Sequence, residues 1–150
     1  MNLINCPTPV GNFYMIIDKN IVVKSGFGQV TDLAEIKDHE YKTLVTKYFD
    51  GDKNALKTIK FTQSGSKFTE KVWTEIAKIP YGQTMNYAEI AKNIGNPRAV
   101  RAVGTACGKN NIPLIIPCHR VIKSDGSIGN YAYGPKIKHF LLNLEKSITE

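Results

Sequence analysis

The stretch NYAEIAKNIGNPRAVRAVGTAC, residues 86–107, contains two short helical patterns separated by a turn. In the first, Asn86 followed three residues later by Glu89 is typical of a capping box at a helix start. Gly95 is a residue that commonly ends a helix, so it marks the expected end of this one. The buried face of this helix is predicted to consist of Tyr87, Ile90, Ala91 and Ile94.

The second pattern predicts a helix that is capped by Asn96 and has Pro97 at its first position, where the missing N–H costs nothing. A helix, a three-residue turn and a helix together have the spacing of a helix-turn-helix. Helix pairs of this kind also occur in proteins that never contact DNA, so both interpretations stay open on the spacing alone.

The helical period of about 100° per residue divides the second helix into two faces. The apolar face is predicted to consist of Val100, Val103 and Cys107, with Cys107 as a buried structural thiol. The outward face is predicted to consist of Arg98, Arg101, Ala102 and Thr105. Small residues such as Gly104 permit either the close approach of a partner or tight packing against another helix.

Upstream, Ser66 is the expected N-cap of a further helix, which Pro80 stops. Its apolar face is predicted to consist of Phe68, Val72, Ile76 and Ile79, with Trp73 off that stripe.

Residues 1–64 have the pattern of a small sheet with a helix. Alternating apolar residues in 12–18 and 21–24 predict a β-hairpin, and an imperfect helical pattern extends from Thr31 to Phe49. Residues 58–65 resemble one more strand that continues into a linker. We therefore expect an α/β lobe over residues 1–64 and a mainly helical lobe over residues 65–150.

The segment PLIIPCHRVI, residues 113–122, delivers a cysteine, a histidine and an arginine after a buried apolar run. A neighbouring imidazole or guanidinium favours a thiolate, so Cys118 has the setting of an activated nucleophile beside His119 and Arg120. An inert cysteine beside a hydrogen-bonded histidine is an alternative. A metal site is a further one, although no CxxC or HxxxH spacing accompanies it and no metal is expected.

A glycine-rich loop with two tyrosines follows at residues 124–135. It lacks the spacing of known phosphate-binding loops, and its aromatic residues suit a wall on which a flat base stacks. A last helix is predicted over residues 135–148, with Ile137, Phe140, Leu141, Leu144 and Ile148 facing inward. Glu145 lies on the flank of that stripe, where a carboxylate either reaches solvent or has a partner. His119 is the candidate partner that would be relevant to catalysis.

Composition and charge narrow the class of protein. The 150 residues carry a formal net charge of +7, and residues 65–150 contribute most of it, with twelve Lys or Arg against six acidic residues. A basic surface of this kind fits an anionic partner such as nucleic acid or is merely solvated. The longest apolar runs are too short to span a membrane, and the first residues lack a secretory pattern, so an intracellular protein is expected. Three cysteines cannot all pair, so at least one thiol is free.

The motifs IPCHRVI, RAVGTACGKNNIPL, GNYAYG and LLNLE resemble, in this order, those of the methylated-DNA–protein-cysteine methyltransferases, the O6-alkylguanine-DNA alkyltransferases. The resemblance covers roughly residues 66–146, whereas the first 60 or so residues match in size and strand-helix organisation alone. It implies an α+β fold, in which a small ribonuclease-H-like lobe precedes a mainly helical lobe with a helix-turn-helix.

The resemblance also implies catalytic roles. Cys118 is similar to the acceptor cysteine that takes the alkyl group from O6 of guanine by direct displacement, and His119 to the base that acts through a water. Glu145 would orient that imidazole, and Asn110 would brace the turn beside the site. Tyr87 resembles the phenol that helps protonate the leaving guanine and contacts the DNA backbone.

For DNA, Arg101 matches the arginine that enters the duplex in place of the flipped nucleotide, and Arg98 would contact phosphate. The small residues that would approach the minor groove are Ala102, Gly104 and Thr105. The resemblance implies a substrate pocket lined by Pro113, Tyr131 and Ala132, in which the backbone carbonyls of Cys118 and Val121 select guanine. Many relatives have Ser in place of Ala132, so the side chain here offers no hydroxyl at that point.

The function expected from this resemblance is irreversible, single-turnover transfer of an alkyl group, with methyl foremost, from O6-alkylguanine or O4-alkylthymine in double-stranded DNA to the protein's own cysteine. No cofactor is implied, and a monomer in the cytoplasm, or in the nucleus of a eukaryote, is expected. The alternatives are a non-catalytic damage sensor of the alkyltransferase-like type, a thiol hydrolase and a plain DNA-binding module. The presence of Cys118 argues against the sensor and the plain module.

Overall fold

A computed structural model describes residues 1–146 of the chain. Contacts between residues divide it into two compact units, Met1–Gln63 and Ser64–Glu150, one residue before the predicted division at 64/65. None of the described helices is long and apolar enough to cross a membrane. The chain is of the mixed α and β class, with five α-helices and two small sheets among the described residues.

The first unit contains an antiparallel sheet of β1 (Asn2–Thr8), β2 (Gly11–Asp18) and β3 (Ile21–Phe27) in that order. The predicted hairpin is β2 and β3. Its two-residue turn, Lys19 and Asn20, has positive φ at both positions, as a type I′ turn requires. Strand β1 was not predicted, and it pairs along its whole length with β2.

Helix α1 (Glu40–Phe49) is shorter than the predicted helix, which began at Thr31. The backbone before it pairs with β1 instead, since Leu3 N–H donates to Ala34 O at 2.9 Å and Ile36 N–H donates to Leu3 O at 2.8 Å. This sheet-like pairing excludes helical bonds over the same residues, and the helix starts where the His39 side chain accepts from Tyr41 N–H.

The strand predicted over residues 58–65 is also wrong. In that segment the sheet gains a single bridge, in which Val22 N–H donates to Lys60 O and Thr62 N–H donates to Val22 O at 2.8 and 3.0 Å.

The second unit starts with α2 (Lys67–Ala77), capped as predicted by Ser66, whose hydroxyl accepts from Thr69 N–H at 3.1 Å. Trp73 was predicted to lie off the apolar stripe, but it is 6% exposed and its Nε1–H donates to Ala106 O at 3.0 Å. The ring therefore packs into the core, which has the following buried members: Val72, Trp73, Ile76, Ile79, Ile90, Ala91, Val103, Ala106, Ile116 and Val121.

Strand β4 (Met85–Asn86) leads directly into α3 (Tyr87–Asn93), and the predicted capping box of Asn86 and Glu89 is present. Ile90 and Ala91 are buried as expected, while Tyr87 and Ile94 are half-buried. Two-residue β4 pairs in parallel with β5 (Val121–Ile122), and neither strand was predicted.

Helix α4 (Val100–Gly108) begins later than the predicted cap at Asn96 with Pro97 at the first helical position. Its N-cap is Ala99, whose N–H donates to Asn96 O in a turn, so six residues separate it from α3 instead of three. A consequence is that Val100 is 38% exposed, although it was predicted on the apolar face with Val103.

Helix α5 (Pro135–Leu144) ends before the predicted Ile148, which lies outside the described residues. Leu141 is buried as expected, and the partly buried residues of the predicted stripe are Ile137, Phe140 and Leu144. The fully buried face also includes Leu142 and, unexpectedly, Lys138.

Candidate active site

A bent loop between α4 and β5 carries the Pro-Cys-His-Arg segment. Leu114 adopts positive φ, Cys118 N–H donates to Ile116 O at 2.8 Å, and a single 3₁₀ turn spans Cys118–Arg120. Asn110 braces this loop, because its Oδ1 accepts from Ile112 N–H and its Nδ2–H donates to Ile116 O, each at 3.0 Å. This places Asn110 at the turn beside Cys118, as expected.

The Cys118 thiol is not activated in the way the sequence suggested. Burial raises the pKa of Cys118 above its ordinary value, and a hydrogen bond with Asn110 and the charge of Lys138 act in the opposite direction without overcoming it. The Arg120 guanidinium faces elsewhere: its Nη1–H donates to Ile79 O at 2.7 Å, and its Nε–H donates to Glu145 Oε1 at 2.7 Å. Cys118 therefore rests as a neutral thiol that needs a base.

His119, the residue that follows Cys118, belongs to a buried pair of side chains. His119 Nε2 is 2.8 Å from Glu145 Oε2, and neither side chain is exposed. Burial raises the pKa of Glu145, but hydrogen bonds and charge from His119 and Arg120 outweigh burial and hold it at about 2. Burial also lowers the pKa of His119, and the bond with Glu145 offsets part of that shift.

These shifts fix the tautomer of the imidazole. An ionised Glu145 can only accept, so the proton of the neutral His119 ring lies on Nε2. Nδ1 then carries the free lone pair, and it is a buried atom without a hydrogen-bond partner in the described part of the chain. The ring is therefore set to accept a proton at Nδ1.

A pocket of about 850 Å³ opens at Cys118. The predicted site residues that line it with Cys118 are Tyr87, Arg101, Gly104, Thr105, Asn110, Pro113, Tyr131 and Ala132. Those that are not part of its wall are Arg98, Ala102, Val121, His119 and Glu145. The wall itself comes from α3, α4, the loop before Cys118 and the glycine-rich loop.

Three phenols line the pocket, those of Tyr87, Tyr131 and Tyr133, and the first two have shifted pKa values. Tyr87 is the first residue of α3, and the pairing of β4 with β5 ties this helix start to the turn of Cys118. Burial, with further contributions from Cys107 and Cys118, raises the pKa of Tyr87 to about 12, so it remains a proton donor. Burial likewise raises the pKa of Tyr131 well above its ordinary value, and its hydroxyl is a buried group with no bonded partner in residues 1–146.

The outward side of α4 has the composition that its sequence indicated. The exposed members of the predicted face are Arg98, Arg101, Ala102 and Thr105. Thr105 Oγ1–H donates to Arg101 O at 3.2 Å. At Gly104 an added Cβ would lie 4.0 Å from a ring carbon of Tyr87, so a small residue leaves this side of the pocket open.

Sequence reasoning missed one residue of the pocket wall, Cys107, and one buried cation, Lys138. Cys107, predicted to be a buried structural thiol, is half-buried and lines the pocket with Cys118. Lys138 is 0% exposed, and its Nζ donates to Val121 O at 2.6 Å and to Asn130 O at 3.0 Å. The signal for Lys138 was its position three and four residues before Leu141 and Leu142, on the inward face of α5.

In residues 1–146, no group of three or more His, Cys, Asp or Glu side chains is arranged to hold a metal ion.

Comparison with known proteins gives a consistent match. Residues 67–147 match the family model described as 6-O-methylguanine DNA methyltransferase, DNA binding domain. A methylated-DNA–protein-cysteine methyltransferase of Methanosarcina acetivorans is 50% identical over 100 residues, which are 67% of this chain and 64% of that relative, just under two thirds of its length. The protein of that name from Haemophilus influenzae is 34% identical over 149 residues, covering 93% of this chain and 83% of the relative.

Among solved structures, Mycobacterium tuberculosis OGT in complex with DNA has a TM-score of 0.82 and 30% identity, covering 98% of this chain and 94% of that one. The likeness therefore extends over both units, including the first 60 residues in which the sequence alone carried no specific motif. The family model and the Haemophilus relative together establish that the chain belongs to the methylated-DNA–protein-cysteine methyltransferase family.

Proposed function

We propose that this chain repairs DNA by transferring the alkyl group of O6-alkylguanine, methyl foremost, irreversibly to Cys118. O4-alkylthymine is a second substrate of the same kind. The observation that carries the proposal is the position of the Cys118 thiol in the pocket, beside a buried His119–Glu145 pair whose Nδ1 lone pair is available. Each molecule acts once, because a thioether has no leaving group that would regenerate the thiol.

The transfer follows from the protonation states. Through one water, His119 Nδ1 takes the proton of the Cys118 thiol, and Glu145 stabilises the imidazolium that forms. The sulfur electron pair then forms a bond with the alkyl carbon, while the electrons of the C–O6 bond stay with guanine. Tyr87, which keeps its proton at neutral pH, supplies a proton to the leaving base. No external reactant is needed.

We further propose that α3 and α4 act as a helix-turn-helix on the minor groove of double-stranded DNA. Arg101 is exposed and also borders the pocket, which suits a side chain that replaces an extruded nucleotide. Arg98 would contact phosphate, and the small side chains of Ala102, Gly104 and Thr105 permit the backbone to come close. Such contacts read shape and charge, so little sequence preference is expected. The DNA in the Mycobacterium tuberculosis OGT structure supports this partner.

From the family resemblance we assign guanine selection to the carbonyls of Cys118, in the pocket, and of Val121, which lies outside the pocket wall, with Tyr131 and Pro113 as walls. Ala132 stands where many relatives have Ser, so only its backbone N–H is available to O6. Because a carbonyl has two lone pairs, Val121 O can accept from a base while it accepts from Lys138.

The first unit is proposed to be a ribonuclease-H-like lobe, and the protein is proposed to act as a monomer in the cytoplasm or, in a eukaryote, the nucleus. A protein that reacts once with one lesion needs no second subunit for its chemistry.

The test is intact-mass measurement after incubation with duplex DNA that contains one O6-methylguanine, followed by peptide mapping. The expected result is the gain of one methyl group on Cys118, in stoichiometric amount and resistant to reversal. Cys118→Ala should gain none, whereas Cys6→Ala, in the first unit, should gain the methyl group as the parent chain does. DNA binding without any mass gain would instead assign the chain to the non-catalytic damage sensors.

A further inference from the structure

Lys138 is a buried cation without a carboxylate partner. Its side chain is 0% exposed in the middle of α5, and no Asp or Glu of residues 1–146 forms an ion pair with it. Burial of an unpaired ammonium group is strongly unfavourable unless hydrogen bonds and nearby negative charge compensate for it. The groups around Nζ therefore indicate the role of Lys138.

Two backbone carbonyls account for two of its three donors. Nζ donates to Val121 O at 2.6 Å and to Asn130 O at 3.0 Å. Val121 follows the turn of Cys118, and Asn130 belongs to the glycine-rich loop that forms part of the pocket wall. Lys138 thus joins α5 to the strand that follows the Cys118 turn and to one loop of the pocket wall.

The ammonium group also lies close to the pocket itself. Gly129 has φ of +76°, and a Cβ there would lie 3.7 Å from Lys138 Nζ and 3.5 Å from Tyr87 Oη. The two groups whose negative charge would favour the ammonium form are the thiols of Cys118 and Cys107. Burial lowers the pKa of Lys138 to about 8, so the group is still mainly protonated at neutral pH.

We propose that Lys138 is a positioning residue for the transfer, and that its ammonium group stabilises the anionic sulfur of Cys118. Its bonds to Val121 O and Asn130 O hold the glycine-rich loop in place. The inference rests on the proposed function for its purpose, but it concerns the reactivity of the thiol itself. Arg120 does not supply this charge, since its guanidinium is bonded to Glu145 and Ile79 O.

The same arrangement gives the reaction an electrostatic consequence. The unreacted Cys118 thiol can ionise near Lys138, whereas a thioether cannot. After transfer the buried cation is therefore compensated at every pH only by the dipoles of Val121 O and Asn130 O.

The test uses iodoacetamide, a small uncharged reagent that alkylates the thiolate without DNA. The rate of Cys118 modification, followed by peptide mass, is measured against pH for the parent chain and for Lys138→Met, Lys138→Arg and Lys136→Met. Lys136 is exposed on the same helix and is the matched control. The other ionisable groups that share the pocket of Cys118 are the same in every variant: Tyr87, Arg101, Cys107, Lys123, Tyr131 and Tyr133.

Loss of the charge in Lys138→Met should move the midpoint of the profile upward by about one pH unit or more and slow Cys118 modification at neutral pH by about tenfold. Lys138→Arg should retain most of the parent rate, and Lys136→Met should match the parent. A purely structural role would alter the melting temperature and leave the pH midpoint in place. A Lys138→Met profile that superimposes on that of the parent overturns the proposal.

A second measurement needs no folded variant. The titration of Lys138 is followed by NMR of its side chain in the parent chain, before and after Cys118 is carbamidomethylated. The proposal predicts a lower Lys138 pKa after modification, because the thioether can no longer ionise and favour the ammonium form; an unchanged titration would contradict it. Neither experiment contains DNA, so a chain that meets both expectations but takes no methyl group from O6-methylguanine would refute the proposed function and leave this inference intact.

Discussion

His119 Nε2 and Glu145 Oε2 lie 2.8 Å apart although 26 residues separate them in sequence, and both side chains are excluded from solvent. Arg120 completes the arrangement with bonds of 2.7 and 3.0 Å to the two oxygens of the same carboxylate. Glu145 is therefore an acceptor whose oxygens are occupied by adjacent residues of one turn. The Glu145 carboxylate orients the His119 imidazole, and it binds the Arg120 guanidinium that the sequence placed beside Cys118.

Replacement of Glu145 by Gln should harm both stability and reaction. The amide cannot balance Arg120, and it no longer stabilises a His119 imidazolium, so the free energy of unfolding should fall by about 3 kcal/mol. Methyl transfer should slow by about 100-fold, in line with the loss of a general base. The measurements are urea unfolding and single-turnover transfer. Glu75→Gln, which removes an exposed ion pair with Lys78, is the control and should change either quantity little.

The acid side of the stability profile follows from the same pair. Glu145 has its pKa lowered to about 2 in the folded chain, so its contribution is present above its ordinary value and disappears as pH falls below it. His119 has its pKa lowered by burial, so the unfolded chain takes up a proton first and stability already declines below the ordinary histidine value. Urea midpoints at pH 7, 5.5 and 4 are expected to fall progressively. A flat profile over this range would contradict the assignment.

Removal of the Arg101 side chain should separate DNA engagement from chemistry. Arg101 is exposed on α4 and forms no part of the His119–Glu145 pair. We expect Arg101→Ala to slow repair of duplex O6-methylguanine by roughly 100-fold, because extrusion of a base costs a few kcal/mol. Reaction with free O6-benzylguanine should change little. Equal losses on both substrates would exclude a role in base flipping, and Lys53→Ala, an exposed residue of the first unit, serves as the charge control.

The elements that sequence predicted correctly depend on local chemistry. The Ser66 cap, the capping box of Asn86 and Glu89, and the hairpin around Lys19 are each determined by residues within a few positions of one another. The local helical pattern also correctly predicted that Arg101 is exposed on the outward side of α4.

The predictions that were wrong concern segments whose conformation depends on residues far away in the sequence. The segment after Thr31 forms backbone bonds with Leu3 instead of a helical turn, and Trp73 is buried because it bonds to Ala106, 33 residues away. The burial of Lys138 was not predicted for a related reason. A charged side chain is expected to be exposed to solvent, and the carbonyls that accept from Lys138 belong to two other segments of the chain. The sequence predicted that His119 pairs with Glu145. It did not predict that Arg120 also bonds to Glu145.

The brace formed by Asn110 should affect stability and thiol reactivity together. Asn110→Ala removes the acceptor of Ile112 N–H, which is left unpaired, and one of two donors to Ile116 O, which keeps its bond from Cys118 N–H. The expected loss is about 1–3 kcal/mol of unfolding free energy. The amide also bonds the Cys118 sulfur and lowers its pKa, so iodoacetamide should react more slowly at neutral pH. Asn93→Ala, at an exposed position of α3, is the control; a stability loss without any change in thiol reactivity would reduce Asn110 to a structural role.

Methylated protein should be less stable than the unreacted chain. The thioether adds a methyl group to the sulfur that bonds Asn110, and added volume against buried atoms typically costs about 1–3 kcal/mol. It also removes the thiol that can ionise near Lys138, so the comparison is made at alkaline pH, where part of the unreacted thiol is anionic. Melting temperatures before and after stoichiometric methylation measure the sum of these effects. Repetition with Lys138→Met separates them: if only crowding matters, the drop on methylation should be the same in both chains, whereas a smaller drop in the variant attributes the difference to the lost charge.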